Sequence, residues 1–118
     1  MIYLFLADGF EEVEALCPLD LLRRAGCAVT TVGVGGTEIR GAHGITVTAD
    51  IPAELYKDSA PEMVILPGRM PGAKNLAASA TVRRRYTRRL SLRHLRRPND
   101  PGTNGTACGQ KGHLLPWV

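Results

Sequence analysis

Two short stretches of the chain carry residues that could do chemistry. Glu11, Glu12 and Glu14 follow a short apolar run and Asp8-Gly9, where negative charge meets unpaired helix amides and the positive end of the helix dipole. From the residues alone, Glu14 is interpreted as a surface acid that stabilises the helix dipole. Pro18 breaks the helix rule close by, because it removes the N–H that the carbonyl of Glu14 would accept, and such departures often accompany function.

The second stretch is Pro67-Gly68-Arg69, which ends another apolar run and leads through a Gly/Pro-rich turn into a helix. Ligands of open parallel sheets bind beyond the carboxyl ends of the strands. We therefore expect Glu14 and the amides after Pro67 to face one crevice. The turn does not have the Lys-Ser/Thr ending of a phosphate-binding loop, so a structural turn is favoured over a phosphate cradle.

These stretches are positioned by a predicted α/β fold. The opening reads as a βαβ unit, in which the helix carries arginines in its last turn and ends at Gly26. A hairpin, a short loop or helical turn and a third buried strand follow. The predicted strands are 2–7, 27–34, 37–40, 45–48 and 63–66, with the helix between the first two and the loop or turn at 50–56.

Composition limits the protein to one small domain. The chain has 118 residues, begins directly with an apolar strand, and contains no apolar run long enough for a membrane helix. An odd number of cysteines without an export signal predicts reduced thiols and a cytoplasmic location. Residues 1–80 hold ten acidic and six basic side chains, whereas residues 81–118 hold eight arginines and a lysine against one acid.

The segments GFEEVEALCPLDLLRRAG and VILPGRMPGAKNL, with the strand that begins at Ala28, resemble the PfpI superfamily, specifically its Parkinsonism-associated deglycase branch. The resemblance extends from residue 1 to about residue 83. It implies a flavodoxin-like three-layer α/β sandwich with a parallel sheet, commonly a homodimer. We expect no cofactor or metal. Members are described as glyoxalases, deglycases, redox sensors and chaperones, and their substrates are small aldehydes or glycated molecules.

The resemblance also assigns roles to three residues. Glu14 corresponds to the carboxyl group that hydrogen-bonds a nucleophilic cysteine on a strained strand-to-helix elbow, and the backbone amides of Gly68 and Arg69 line the oxyanion site. This is coherent chemistry, since a thiolate is the nucleophile and nearby N–H groups stabilise the oxyanion formed on a carbonyl substrate.

The chain departs from the family pattern in two places. Arg69 stands where the family has the second glycine of Pro-Gly-Gly, which places a side chain where the backbone needs a positive φ angle. The next strand, which ends in the family's Ala-Ile-Cys-Ala elbow, is absent. We therefore divide the chain into a partial family domain at 1–82 and a non-homologous, basic, disordered tail at 83–118.

A frameshift explains the tail. If the reading frame moves one nucleotide forward from Arg93, the codons of residues 93–98 permit Ala-Ile-Cys-Ala-Ala-Pro, and later codons permit further family-like residues. We infer a frameshift shortly after Val82. Roughly five residues are also missing relative to the family's spacing in this region. An Arg-rich alternate frame then accounts for the basic run at 83–97 better than a nucleic-acid-binding module does.

The remaining candidates have ordinary interpretations. Cys17 and Cys27 occupy apolar periodic positions and are interpreted as core thiols, and Cys108 as an incidental exposed thiol that follows no strand. His43 and His113 are interpreted as loop histidines without carboxylate or cysteine companions at ligand spacing, and His94 belongs to the tail. No metal site is predicted.

The functional expectation is a family member that is inactive as written, because no cysteine occupies the elbow. The alternative is a chaperone-like or basic nucleic-acid-binding protein without catalysis. A sheet without its next strands also predicts marginal stability and self-association.

Overall fold

The computed structural model describes residues 1–57 and 60–84, which form an α/β unit around a parallel sheet. Of the predicted tail, only its first two residues lie in the described part, so its predicted disorder stays a prediction. The elements are β1 (Ile2–Leu6), α1 (Glu12–Arg24), β2 (Val29–Gly33), β3 (Glu38–Arg40), β4 (Thr46–Thr48), β5 (Ile51–Pro52), a 3-10 turn (Ala53–Leu55), β6 (Met63–Ile65) and α2 (Gly72–Ala78).

The main sheet has four parallel strands in the order β5-β2-β1-β6. In its register, Ile2 of β1 lies beside Val29 on one side and Met63 on the other. The predicted βαβ opening is confirmed, and β3 and β4 form the predicted antiparallel hairpin. The short strand β5, which pairs with β2, was predicted only as a loop or helical turn because two residues carry no readable periodicity.

Residues on the central strand β1 alternate between two separate cores, as the period of two in a strand requires. Even-numbered side chains pack with α1 and the hairpin, and odd-numbered ones pack with α2 and the 3-10 turn. Elements therefore cover both faces of the sheet, which confirms the predicted three-layer α/β arrangement. The two cores are formed by Ile2, Leu4, Leu6, Phe10, Ala15, Leu19, Cys27, Val29 and Ile39, and by Phe5, Ala7, Val32, Ala53, Tyr56, Leu76 and Val82.

Helix α1 packs only one of its two apolar stripes against the sheet. Its buried residues are Glu12, Ala15 and Leu19, whereas Val13 is 70% exposed and Leu21 is 48% exposed. The helix has two apolar stripes, and the spacing of apolar residues does not distinguish the one that faces the sheet. The exposed stripe includes Cys17.

The expectation of a third buried strand is wrong for β6 at its start and only partly met at its other two residues. Its exposure pattern is exposed, half-buried, half-buried, and Met63 at its start is 43% exposed. Within residues 1–57 and 60–84, β6 pairs with β1 only, so its outer edge carries no strand there. In that same part of the chain, no helix is both long and apolar enough to cross a bilayer.

Asp50, the residue before β5, connects several elements at the β5 edge of the sheet. One oxygen of its carboxylate, Oδ2, accepts hydrogen bonds from the Thr31 amide at 2.8 Å, the Thr31 hydroxyl at 2.9 Å and the Arg23 guanidinium at 2.7 Å. Burial raises the pKa of Asp50, but the bonds from Thr31 and the charge of Arg23 outweigh it and hold the pKa below its ordinary value. The carboxylate thus ties α1, β2 and the start of β5 together.

We expect Asp50→Ala to lower the free energy of unfolding by about 1 to 2 kcal/mol, because three donors lose one charged acceptor. The lowered pKa of Asp50 means that this stabilisation is present above the unfolded-state pKa and is lost as the pH falls through the folded-state pKa, below about 4. The wild-type chain should therefore lose more stability than the variant on acidification. Urea unfolding at several pH values measures both effects.

The matched control is Asp20→Ala. Asp20 forms an exposed ion pair with Arg24 one turn along α1, and such pairs contribute little. Equal losses in the two variants would contradict the role given to Asp50.

Candidate functional site

The site lies where β1 ends and α1 begins. The carboxylate of Asp8 accepts a hydrogen bond from the Arg40 amide at 2.9 Å, and the Gly9 amide donates to the Arg40 carbonyl at 2.8 Å. A further amide, that of Ala42, donates to the Phe10 carbonyl at 2.9 Å. These bonds dock the β3–β4 hairpin on one side of the β1–α1 junction.

The start of α2 packs against the same junction from the other side. The Gly72 amide donates to the Gly9 carbonyl at 3.2 Å, and the Asn75 side chain donates to the Asp8 carbonyl at 2.8 Å. A Cβ on Gly72 would lie only 2.6 Å from the Gly9 oxygen, so a glycine is required for this close approach. The loop between β6 and α2 is thereby held over the first turn of α1.

The structure brings the carboxylate of Glu14 to the backbone of Gly68. The Gly68 amide donates a hydrogen bond to Oε2 of Glu14 at 2.5 Å, and a Cβ on Gly68 would stand 2.7 Å from the same oxygen. The two stretches singled out in the sequence therefore meet, as expected for the carboxyl ends of parallel strands. Their catalytic roles stay a prediction.

Arg69 adopts the strained backbone that its position was expected to require. Its φ angle is 72°, which glycine adopts freely and other L-residues only at a cost. Its guanidinium donates to Oε2 of Glu11 at 2.9 Å, and the Glu11 amide donates to the Gly68 carbonyl at 3.2 Å. The loop that carries the predicted oxyanion amides is thus fixed to α1 by both main chain and side chain.

His43 is not the isolated loop histidine that the sequence indicated. Its backbone amide donates to Oε1 of Glu12 at 2.6 Å, and its ring Nδ1 lies 2.7 Å from Oε2 of the same carboxylate. Burial raises the pKa of Glu12, but the hydrogen bonds from the ring and backbone of His43 outweigh it and lower the pKa to about 2. A contact across this much sequence leaves no local signal, so sequence reasoning missed it.

The described cysteines differ from the expectation of two core thiols. Cys17 is a free, exposed thiol, because it lies on the stripe of α1 that faces away from the sheet. Cys27 is in the core as predicted, 7% exposed. Within the described residues, no cysteine sulfur is hydrogen-bonded to Glu14. Cys108, His94, His113 and residues 85–97 of the basic run lie outside that part.

A parallel sheet with helices on both faces, and a carboxylate at the end of its central strand, defines a flavodoxin-like α/β protein. The chain belongs to the DJ-1/PfpI family, whose model matches residues 1–90. The match extends beyond residue 82, where the sequence analysis places the domain boundary. That boundary stays a prediction.

Individual relatives agree with this assignment. The chain is 39% identical over 80 residues to the Parkinson disease protein 7 homolog of Danio rerio, a match that covers 66% of this chain and 42% of the relative. A protein named a deglycase from Thermococcus kodakarensis is 32% identical over 62 residues, which is 52% of this chain and 37% of the relative.

Solved structures show the same fold. Oxidized DJ-1 of Toxoplasma gondii matches with a TM-score of 0.72 and 27% identity, over 77% of this chain and 50% of that one. A DJ-1 superfamily protein from Salmonella typhimurium matches with a TM-score of 0.71 and 33% identity over the same shares. The chain thus spans about half of these structures and 42% of the zebrafish relative.

The strain at Arg69 gives a stability prediction. We expect Arg69→Gly to be more stable than Arg69→Ala by about 1 kcal/mol, because both variants lose the ion pair to Glu11 but only glycine relieves the positive φ angle. Chemical denaturation of the two variants measures the difference directly. Equal stabilities would mean that the backbone at this residue is not strained.

Proposed function

We propose that this chain is a DJ-1/PfpI protein that carries the family's carboxyl and amide crevice without its nucleophile. In the intact site, a cysteine thiolate adds to the carbonyl carbon of a small aldehyde or glycated substrate, and the resulting oxyanion accepts hydrogen bonds from the amides of Gly68 and Arg69. Glu14 donates a hydrogen bond to the sulfur. As written, the chain has no thiol-dependent glyoxalase or deglycase activity.

The hydrogen bond between Glu14 and Gly68 is the observation that supports this proposal. The carboxylate assigned to the sulfur instead accepts from one of the two amides assigned to the oxyanion. An amide that already donates to a carboxylate is not free to stabilise a developing charge on a substrate. The Glu14 carboxylate and the Gly68 amide are therefore hydrogen-bonded to each other in the described part of the chain.

The exposed thiol of Cys17 does not replace the missing nucleophile in this proposal. Cys17 lies within helix α1, whereas nucleophiles of this kind require a strained turn that projects the sulfur beside the oxyanion donors. Its sulfur is also not hydrogen-bonded to Glu14 in the described residues.

The direct test is methylglyoxal consumption by the full chain. We expect the wild-type chain, Glu14→Gln and Cys17→Ser all to give the rate of buffer alone, because none provides a sulfur at the elbow. Far-UV circular dichroism confirms that each sample is folded. Turnover by the wild-type chain would contradict the proposal, and turnover that persists in Glu14→Gln would remove the role of the carboxyl as well.

The inferred frameshift has an independent test. Sequencing the gene across the codons for Val82 to Arg97 should either place the frameshift in the gene itself or restore the family-like reading frame. An intact read that confirms this ending, together with methylglyoxal turnover, would overturn the account of the missing nucleophile.

We further propose that the chain associates with a second copy of itself through the outer stripe of α1, in keeping with the homodimers that the family resemblance implies. Val13 and Leu21 on this stripe are 70% and 48% exposed, and they lie with Cys17 at intervals of four residues, so they share one face of the helix. Apolar surface of this kind is stabilised when a second surface covers it.

We expect Val13→Asp to shift the chain toward the monomer in sedimentation velocity, because burying an unpaired carboxylate in an apolar interface is costly. Leu55→Asp is the matched control, since Leu55 is also exposed, at 61%, but lies on the 3-10 turn beside the other face of the sheet. A wild-type chain that sediments as a monomer at all concentrations would contradict the interface, as would equal effects of the two variants.

A further inference from the structure

Three possible metal ligands from two distant segments meet at the hairpin side of α1. Glu11 and Glu12 come from the start of the helix and His43 comes from the turn of the β3–β4 hairpin. One donor atom from each, two carboxylate oxygens and an imidazole nitrogen, lies within 4.8 Å of the others. This cluster is separate from the Glu14–Gly68 contact and has no part in the proposed thiol chemistry.

The second oxygen of each carboxylate is already held by another group. Oε1 of Glu12 accepts from the His43 amide at 2.6 Å, and Oε2 of Glu11 accepts from Arg69 at 2.9 Å. Of the two remaining oxygens, Oε2 of Glu12 lies 2.7 Å from Nδ1 of His43, and Oε1 of Glu11 lies 3.5 Å from it. Outer hydrogen bonds that orient ligating groups in this way are typical of protein metal sites.

The packing around Glu12 shows that its carboxylate is fixed. The side chain is 6% exposed, and a Cβ on Gly41 would overlap the Glu12 carboxylate, so the hairpin is shaped around that group. His43 is 52% exposed and Glu11 is 20% exposed, which leaves the cluster open to solvent on one side. A rigid inner ligand with two accessible outer ones provides both geometry and an entry path.

The two separations that involve His43 are compatible with a small tetrahedral ion. Zinc bonds of about 2.0 to 2.2 Å to nitrogen and oxygen place neighbouring ligand atoms about 3.3 to 3.5 Å apart. The 3.5 Å separation between His43 and Glu11 already meets this value, and the 2.7 Å separation between His43 and Glu12 requires only a small outward movement. An imidazole nitrogen among the donors favours zinc over calcium or magnesium.

We propose that Glu11, Glu12 and His43 bind one zinc ion, with water as the fourth ligand. The ion replaces the direct contact between His43 and Glu12, so the neutral imidazole carries its hydrogen on Nε2 and presents the Nδ1 lone pair to the metal. Bound zinc joins the hairpin to the first turn of α1. It therefore stabilises the folded chain by an amount that rises with the logarithm of the free zinc concentration above the dissociation constant.

The test is a competition for Zn²⁺ between the full chain and a fluorescent chelator at constant pH. We expect Glu11→Gln and His43→Ala each to weaken zinc binding by at least about tenfold, since losing a ligand costs at least as much as losing its outer partner. His43→Ala keeps the backbone amide that bonds Glu12, and Glu11→Gln leaves the hairpin untouched. Thermal unfolding should show a zinc-dependent rise in Tm for the wild-type chain that both variants lose.

Two controls separate this site from adventitious binding. Glu38→Gln removes an exposed hairpin carboxylate outside the cluster, and Cys17→Ser removes the free thiol; neither should change the affinity. Zinc binding that is unaffected by Glu11→Gln, or that is lost equally in either control, would overturn the proposal.

Discussion

Acidic side chains at the β1–α1 junction accept hydrogen bonds from the backbone of two distant loops, and the arrangement of the site depends on this. Asp8 accepts from Arg40, Glu12 from His43 and Glu14 from Gly68. Carboxylates that accept backbone N–H groups form strong, charge-assisted bonds. The three bonds fix the hairpin and the loop after β6 relative to the central strand, and the same acidic residues therefore determine both the fold and the site.

The sequence predicted those features that depend on local pattern. Apolar runs and their breakers located the principal strands, and the ends of two of them correctly placed Glu14 near Gly68. The positive φ angle at Arg69 followed from a departure from a glycine position. These features are predictable because strand polarity and backbone sterics act over a few residues.

Long-range contacts and choices between equivalent faces were not predictable. Val13 and Leu19 are both apolar helix residues, but only Leu19 faces the sheet, because helix rotation is set by what the sheet presents. The sequence placed Glu12 only in the first turn of the helix, and its burial depends on a hairpin that is remote in sequence. The exposure of β6 has a similar origin, since its burial requires a neighbouring strand, and within the described residues none lies at its outer edge.

Glu11 connects the two sides of the junction. It is bonded to Arg69, and that residue's own amide is one of the two assigned to the oxyanion site, while the other oxygen of Glu11 faces His43. Arg69 and His43 face different oxygens of this carboxylate, so the guanidinium orients Glu11 without occupying the oxygen assigned to the metal. The loop that carries Arg69 is also held by its main chain, since the Glu11 amide donates to the Gly68 carbonyl. The ion pair between Glu11 and Arg69 is therefore the side-chain contact that joins the two sides of the junction.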